Sequence, residues 1–339
     1  MPTVTGAELS RLCVSVLQAA GAPATAAQAV AEGLVVANLM GHDSHGVIRL
    51  PAYIAAVEDG RVDPRAEPVL ERDDGTVLVV DGKRGFGQVA AGRATTLLLQ
   101  RLREGRPLVA AFAHDGYHAG RIGAYVERIA ATGAVGIAMV NSHGAGRLVA
   151  PFGGHQRRLS TNPIAFAAPV AGGPPVVLDM ATSTVAEGKV RVRRNSGEEL
   201  PEGWVVDSEG RPSRRAEDLY SGGALLPLGG PVQGYKGYGL SLMVDVLAGA
   251  LSGAGCSRPG ETWSGNGFFC LGIAPTHPAV AEDVAGLIAH VKQDHAGVLV
   301  PGEPERTKRA HREAHGVELD EETWRQLAAV AARYRVEVS

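Results

Sequence analysis

Between Gly41 and Tyr53 the chain reads GHDSHGVIRLPAY, which places His42, Asp43, Ser44, His45 and Arg49 within eight residues. Three readings suit those residue types. The stretch can be a solvated loop between helices. It can also supply metal ligands, because His42 and His45 enclose Asp43, and His114 and His118 enclose Asp115 farther along. Imidazoles and carboxylates suit zinc or a non-haem metal. The third reading is acid/base chemistry on a small acid. A histidine with a pKa near ~6.5 can pass a proton to a developing alkoxide at neutral pH. Arg49 follows His45 by four residues, so a helical turn would put both on one face. Its guanidinium would grip a carboxylate with two prongs, and Ser44 adds a hydroxyl. A metal-dependent hydrolase or lyase using His42, His45, His114 and His118 is the alternative. Gly116 interrupts its second pair, and no HExxH pattern is present. On these residues alone, the loop and the proton donor stay open.

A second candidate, GFGQVA at positions 85–90, fits the GxGxxA of a dinucleotide-binding turn. The preceding strand is expected to end near Val80, with Asp81 to Arg84 intervening. About twenty residues on lies Glu104, at a helix end rather than a strand tip. Those two features favour a plain glycine turn.

The elements that must position these groups are legible in outline. Thr5 to Glu8 has capping-box spacing, and Leu9, Leu12, Val16 and Leu17 then recur at helical period. A second helix is expected over 24–40, stopped by Gly41. Strands are expected over 76–80, 108–113 and 135–140, with helices over 89–102 and 122–131 between them. Short strands follow at 163–169 and 176–179. Residues 191–234 are polar and rich in Pro and Gly, so they read as long loops. A helix from Gly237 to Leu251, a strand over 268–273 and helices over 284–291 and 324–334 complete the chain. The pattern argues for an α/β middle flanked by helices from both chain ends, and leaves strand direction open.

A chain of 339 residues suggests about two domains. Thirty-three basic against thirty-six acidic residues give no electrostatic case for nucleic acid or an anionic membrane. No apolar run is long enough for a transmembrane helix, and no secretory signal pattern opens the chain. Cys13, Cys256 and Cys270 form no CxxC pair, which fits a reducing cytoplasm.

GHDSHGVIRLPAY resembles the signature of the malate/L-lactate dehydrogenase-like family of NAD(P)-dependent oxidoreductases. The likeness continues through HAGRIGAY (118–125), NS (141–142), APFGG (150–154), TNP (161–163), DMATS (179–183), KGYGL (236–240) and PGEP (301–304). Such blocks in order are far more specific than any one of them. The resemblance implies an α/β fold that is not Rossmann. A largely antiparallel or mixed sheet would bind NAD or NADP (76–275). Helices from both ends (1–75 and 276–339) would build a second domain, in a cytoplasmic homodimer. It implies a small 2-hydroxy or cyclic 2-amino acid, with its 2-oxo or imino counterpart, as substrate, and no metal. His45 would move the proton, Ser44 and Arg49 would meet the substrate, and His118 would be a second active-site histidine. Ser142, Asp179, Met180, Ala181, Thr182, Ser183, Lys236, Gly237, Gly302, Glu303 and Pro304 would contact the cofactor. Thr161 and Asn162 would line its cleft. Gly237, opening a helix, would turn its N-terminus to an anion. Two departures bear on specificity: Ser160 stands where the family usually has Gly, and 143–148 is one variant of a variable stretch.

Overall fold

In the computed structural model, which describes residues 2–144, 146–263, 265–295 and 297–337, the N-terminal capping box is formed. A short strand β1 (Thr3–Val4) precedes it. The Thr5 hydroxyl accepts from the Glu8 amide at 3.2 Å, and the Glu8 carboxylate accepts from the Thr5 amide at 2.8 Å. Helix α1 (Gly6–Ala19) buries Leu9, Leu12, Val16 and Leu17, each stabilising by roughly 2 kcal/mol. After α2 (Ala24–Leu39), Gly41 at φ +79° turns the chain. Two single 3-10 turns, Asp43–His45 and Val47–Arg49, lead into α3 (Leu50–Glu58).

The middle of the chain alternates as β2 (Val69–Asp73), β3 (Val77–Gly85), α4 (Gly87–Arg103), β4 (Leu108–Gly116), α5 (Gly123–Ala130) and β5 (Val135–Ser142). A hairpin of β6 (Ile164–Val170) and β7 (Gly173–Met180) follows, then α6 (Glu187–Ser196). Next come β8 (Val205–Val206), β9 (Pro212–Ser213), α7 (Ala216–Tyr220) and β10 (Ala224–Leu225). Helix α8 (Gly230–Val244) continues as a π-turn over Asp245–Ala250 before β11 (Asn266–Ile273). The chain closes with α9 (Val280–Lys292), α10 (Glu303–His315), β12 (Val317–Glu318) and α11 (Glu321–Arg333).

Among the described residues, seven strands form one mixed sheet in the order β2-β3-β4-β11-β5-β6-β7. Only β3 and β4 pair parallel; every other neighbouring pair is antiparallel. β11 inserts between β4 and β5 from late in the chain. Phe268 and Cys270 point to the α4/α5 core, and Phe269 points to the opposite core with Phe112 and Val244. A separate core joins both chain ends: Leu9, Leu34 and Tyr53 pack with Val317, Leu327 and Val330. β1 pairs with β12 beside it. Register fixes where a site can form. Asn266 at the start of β11 faces both Gly116 and Ser142, so β4 and β5 end together, and Ile164 pairs with Met180 nearby. No helix of the described residues is long and apolar enough to cross a membrane.

Four expectations need correction. Residues 191–234 are not long loops. They carry most of α6, all of α7 and a three-stranded sheet around Val190, Leu200, Val205 and Leu219. The helix expected from Gly237 starts at Gly230, so Gly237 lies inside it. There the glycine is needed for contact, because a Cβ would stand 2.3 Å from the Leu228 nitrogen. Residues 303–315 form a helix whose polar surface hid it from a search for apolar period. Finally, β3 runs to Gly85 and α4 opens at Gly87, so GFGQVA does join a strand to a helix. The turn is filled by the chain itself: a Cβ on Gly87 would stand 2.4 Å from the Tyr117 carbonyl oxygen.

Candidate active site

The two 3-10 turns are built around one buried side chain, Asn38, at the end of α2. Its Oδ1 accepts from the Val47 amide at 2.8 Å, and its Nδ2 donates to Asp43 Oδ1 at 2.7 Å. The amide fills the space beside Gly46, where a Cβ would lie 2.2 Å from Oδ1. From α10, Arg312 donates to Asp43 at 2.6 and 3.0 Å and to the Asn38 carbonyl. The single helical turn expected over His45 to Arg49 is therefore broken at Gly46. Both side chains still reach one cavity, because each 3-10 turn ends on the residue concerned.

The rings of His45 and His118 stack at 5.5 Å between centroids. Ser44 Oγ lies 3.0 Å from His45 Nδ1. His118 Nδ1 faces the Gly120 amide at 3.3 Å and the Tyr53 hydroxyl at 2.6 Å, and the Gln88 amide donates to that hydroxyl at 2.8 Å. A backbone N–H can only donate, so His118 Nδ1 is an acceptor and the neutral ring carries its hydrogen on Nε2. Burial, with Arg49 adding to it, pushes His118 down to about 3. Burial also holds His45 well below 6.5, helped by His118 and Arg49. Both rings are thus neutral at neutral pH.

His45, Arg49, His118, Ser142 and Thr161 line a cavity of about 250 Å³. Arg49 Nε donates to the Ser44 carbonyl at 2.7 Å and its Nη2 to Glu187 at 3.3 Å. Glu187 is held in turn by Arg191 at 2.8 Å and the Tyr220 hydroxyl at 3.0 Å. A second cavity of about 230 Å³ adjoins the first at His45, Gly120 and Thr161. Ser44, Asp179, Met180, Ala181 and Ser183 line it, with His42 and Arg121. Burial raises the Asp179 carboxyl, against the pull of Arg121, and lowers His42. Asp179 Oδ2 accepts from the Gly123 amide at 2.7 Å.

Other expected residues sit elsewhere. Thr182 and Asn162 are buried framework: Thr182 Oγ1 donates to the Thr161 and Asn162 carbonyls, and Asn162 donates to the Ser241 carbonyl at 3.0 Å. Lys236 is exposed on α8. Gly302 caps α10, whose first turn holds Glu303 and Pro304; Glu303 accepts from the Val300 amide and pairs with Lys292. None of Lys236, Gly237 and 302–304 lines either cavity. Ser160, Gly146 and Leu148 do line the first cavity; Ala145 lies outside the described residues. The four histidines do not assemble, for His42 faces Glu305 and His114 faces Glu71. Sequence reasoning missed Asn38, Gln88, Glu187 and Arg312. No local signal marks them: Glu187 is 138 positions from Arg49, and Arg312 is 269 from Asp43.

Residues 4–328 match the family model described as malate/L-lactate dehydrogenase. The chain is 44% identical over 261 residues to a malate dehydrogenase of Pyrococcus abyssi, covering 76% of this chain and 68% of that protein. It is 34% identical over 339 residues to a Δ1-pyrroline-2-carboxylate/Δ1-piperideine-2-carboxylate reductase of Pseudomonas syringae, covering 97% and 96%. The solved malate dehydrogenase of Pyrococcus horikoshii superposes with a TM-score of 0.87 at 34% identity, over 99% of this chain and 96% of that one.

Proposed function

This chain belongs to the malate/L-lactate dehydrogenase family, and from that premise we propose that it is an NAD(P)-dependent oxidoreductase acting on a small 2-hydroxy or cyclic 2-amino acid and its 2-oxo or imino counterpart. The observation that carries the reading is the stacked, neutral His45–His118 pair sharing one cavity with Arg49. The second cavity suits the nicotinamide end of a dinucleotide. Arg121 Nε is buried there without a hydrogen-bond partner, so a polar ligand meets a permanent donor. Asp179, Met180, Ala181, Ser183 and Arg121 would hold it, while Ser142 and Thr161 face it from the first cavity. Lys236, Gly237 and 302–304 are assigned to its distal parts by resemblance.

The nicotinamide supplies the hydride exchanged with C2 of the acid. Arg49 grips the carboxylate, and the Nε2–H of His118 donates to the substrate oxygen. His45 moves the proton. In the free protein the Arg49 charge helps keep His45 neutral. A carboxylate seated on Arg49 offsets that charge, so the proton His45 must carry in reduction becomes less costly once the oxo acid is bound. The sign for kcat/KM follows, since this parameter reports the free enzyme. Oxidation needs neutral His45, whose pKa lies below its ordinary 6.5. We expect a flat profile from about pH 8 through about pH 6.5, with the fall coming only well below the ordinary histidine range. Reduction needs the protonated ring and rises throughout that descent. Nicotinamide absorbance in both directions, with a panel of 2-oxo acids and cyclic imines, tests the reading. A panel with no turnover, or an oxidation limb breaking above neutrality, removes it.

The proposal includes a homodimer in the cytoplasm; the free cysteines are consistent with that setting. Val232, Tyr235, Met243, Val246 and Leu251 are exposed along α8 and its π-turn, with Val232 at 74%. Apolar residues lined up in this way suit a partner surface. Light scattering should give a dimer for the wild type and a folded monomer for Met243→Glu/Leu251→Glu. A double variant that stays dimeric places the interface elsewhere.

A further inference from the structure

We infer that the first cavity selects acids bearing a single carboxylate and an apolar remainder, and rejects dicarboxylates. The inference rests on the dehydrogenase reading and deepens it. Among the described residues lining that cavity, Arg49 is the one permanent cation and Glu187 the one carboxylate. The two pair at 3.3 Å. Arg191 lies behind Glu187 and is consumed by it at 2.8 Å. In the free protein His45 and His118 are held neutral by burial, and the proton His45 carries in reduction is spent on the C2 oxygen, so neither is a standing cation for a second carboxylate. The amides of Asn141 and Asn266 are spent on framework: Asn141 donates to Asp245 at 2.6 Å, and Asn266 donates to the Asn141 carbonyl while accepting from Ala119. Ala52, Val140, Leu148, Pro163 and Ala186 give the wall its hydrocarbon, and Tyr117, Ser142, Ser160 and Thr161 its hydroxyls.

An acid's first carboxylate therefore takes the guanidinium. A second one would face hydrocarbon, a few hydroxyls and the like charge of Glu187. A desolvated carboxylate without a cation is strongly disfavoured. An isopropyl group of the same shape meets no such penalty.

Oxaloacetate and 4-methyl-2-oxopentanoate differ by that exchange and form the test pair, each with NADH and with NADPH. The expected kcat/KM for the apolar acid is at least about 30-fold higher. Glu187→Gln removes the repelling charge and should narrow that ratio about tenfold. Ala52→Arg is an independent check. Ala52 is exposed on α3 yet lines the cavity, so a long side chain has room and brings a second cation. It too should shift the ratio toward oxaloacetate. Similar kcat/KM values for the two acids in the wild type would overturn the inference alone, as would a folded Ala52→Arg protein with an unmoved ratio. No turnover of any 2-oxo acid or cyclic imine would overturn the dehydrogenase reading, and the inference with it.

Discussion

His45→Ala loses about a thousandfold in kcat, the usual range for removing a positioned acid/base, while nicotinamide dinucleotide still binds. The contrast is expected because the loop carrying His45 does not depend on its ring. Asn38 holds Val47 and Asp43, and Arg312 holds Asp43 from the far end of the chain. Among the described residues, the imidazole has one hydrogen-bonding neighbour, Ser44 Oγ. Removing it leaves the backbone supports in place, along with Asp179 and the residues around it in the adjoining cavity. Single-turnover absorbance measures the chemical step, and quenching or enhancement of nicotinamide fluorescence measures binding. Unchanged kcat would remove His45 from the proton's path. Loss of dinucleotide binding with a normal melting curve would make it a binding residue instead.

Gly188→Ala is the second large effect, and here two forces oppose each other. Position 188 lies in α6, where alanine is favoured over glycine by roughly 0.5–1 kcal/mol. A Cβ at that position, however, would stand 2.2 Å from Ser44 Cβ and 2.8 Å from Ser44 Cα. Neither atom is the end of a flexible side chain, so α6 or the 3-10 turn must move by more than an ångström. The displacement separates Glu187 from Arg49 and tilts His45 beside it. A misplacement of that size lowers kcat/KM by about a hundredfold, and steric conflict outweighs propensity. Steady-state kinetics on the folded variant should show the loss mainly with acid substrates. Wild-type kinetics would mean that the contact relaxes without disturbing the site.

Much of the site was open to a reader of the sequence, since GHDSHGVIRLPAY already held a proton carrier, a hydroxyl and a carboxylate-binding fork. Helices with an apolar face and a cap, such as α1, were equally plain, because period and capping are properties of neighbouring residues. α10 was hidden because its surface is almost wholly polar. Residues 205–225 were hidden because two-residue strands leave no period to detect.

The sequence by itself determined which groups could react and which stretches could curl or extend, for both follow from covalent identity and short-range spacing. Only the tertiary structure decided which of those groups meet. It set β11 between strands that precede it by more than a hundred residues, and brought Arg312 onto Asp43. It placed Glu187 against Arg49 and put Tyr53 and Gly120 on one nitrogen of His118. Charge state and tautomer depend on burial and on neighbours remote in sequence, and those exist only once the chain has closed on itself.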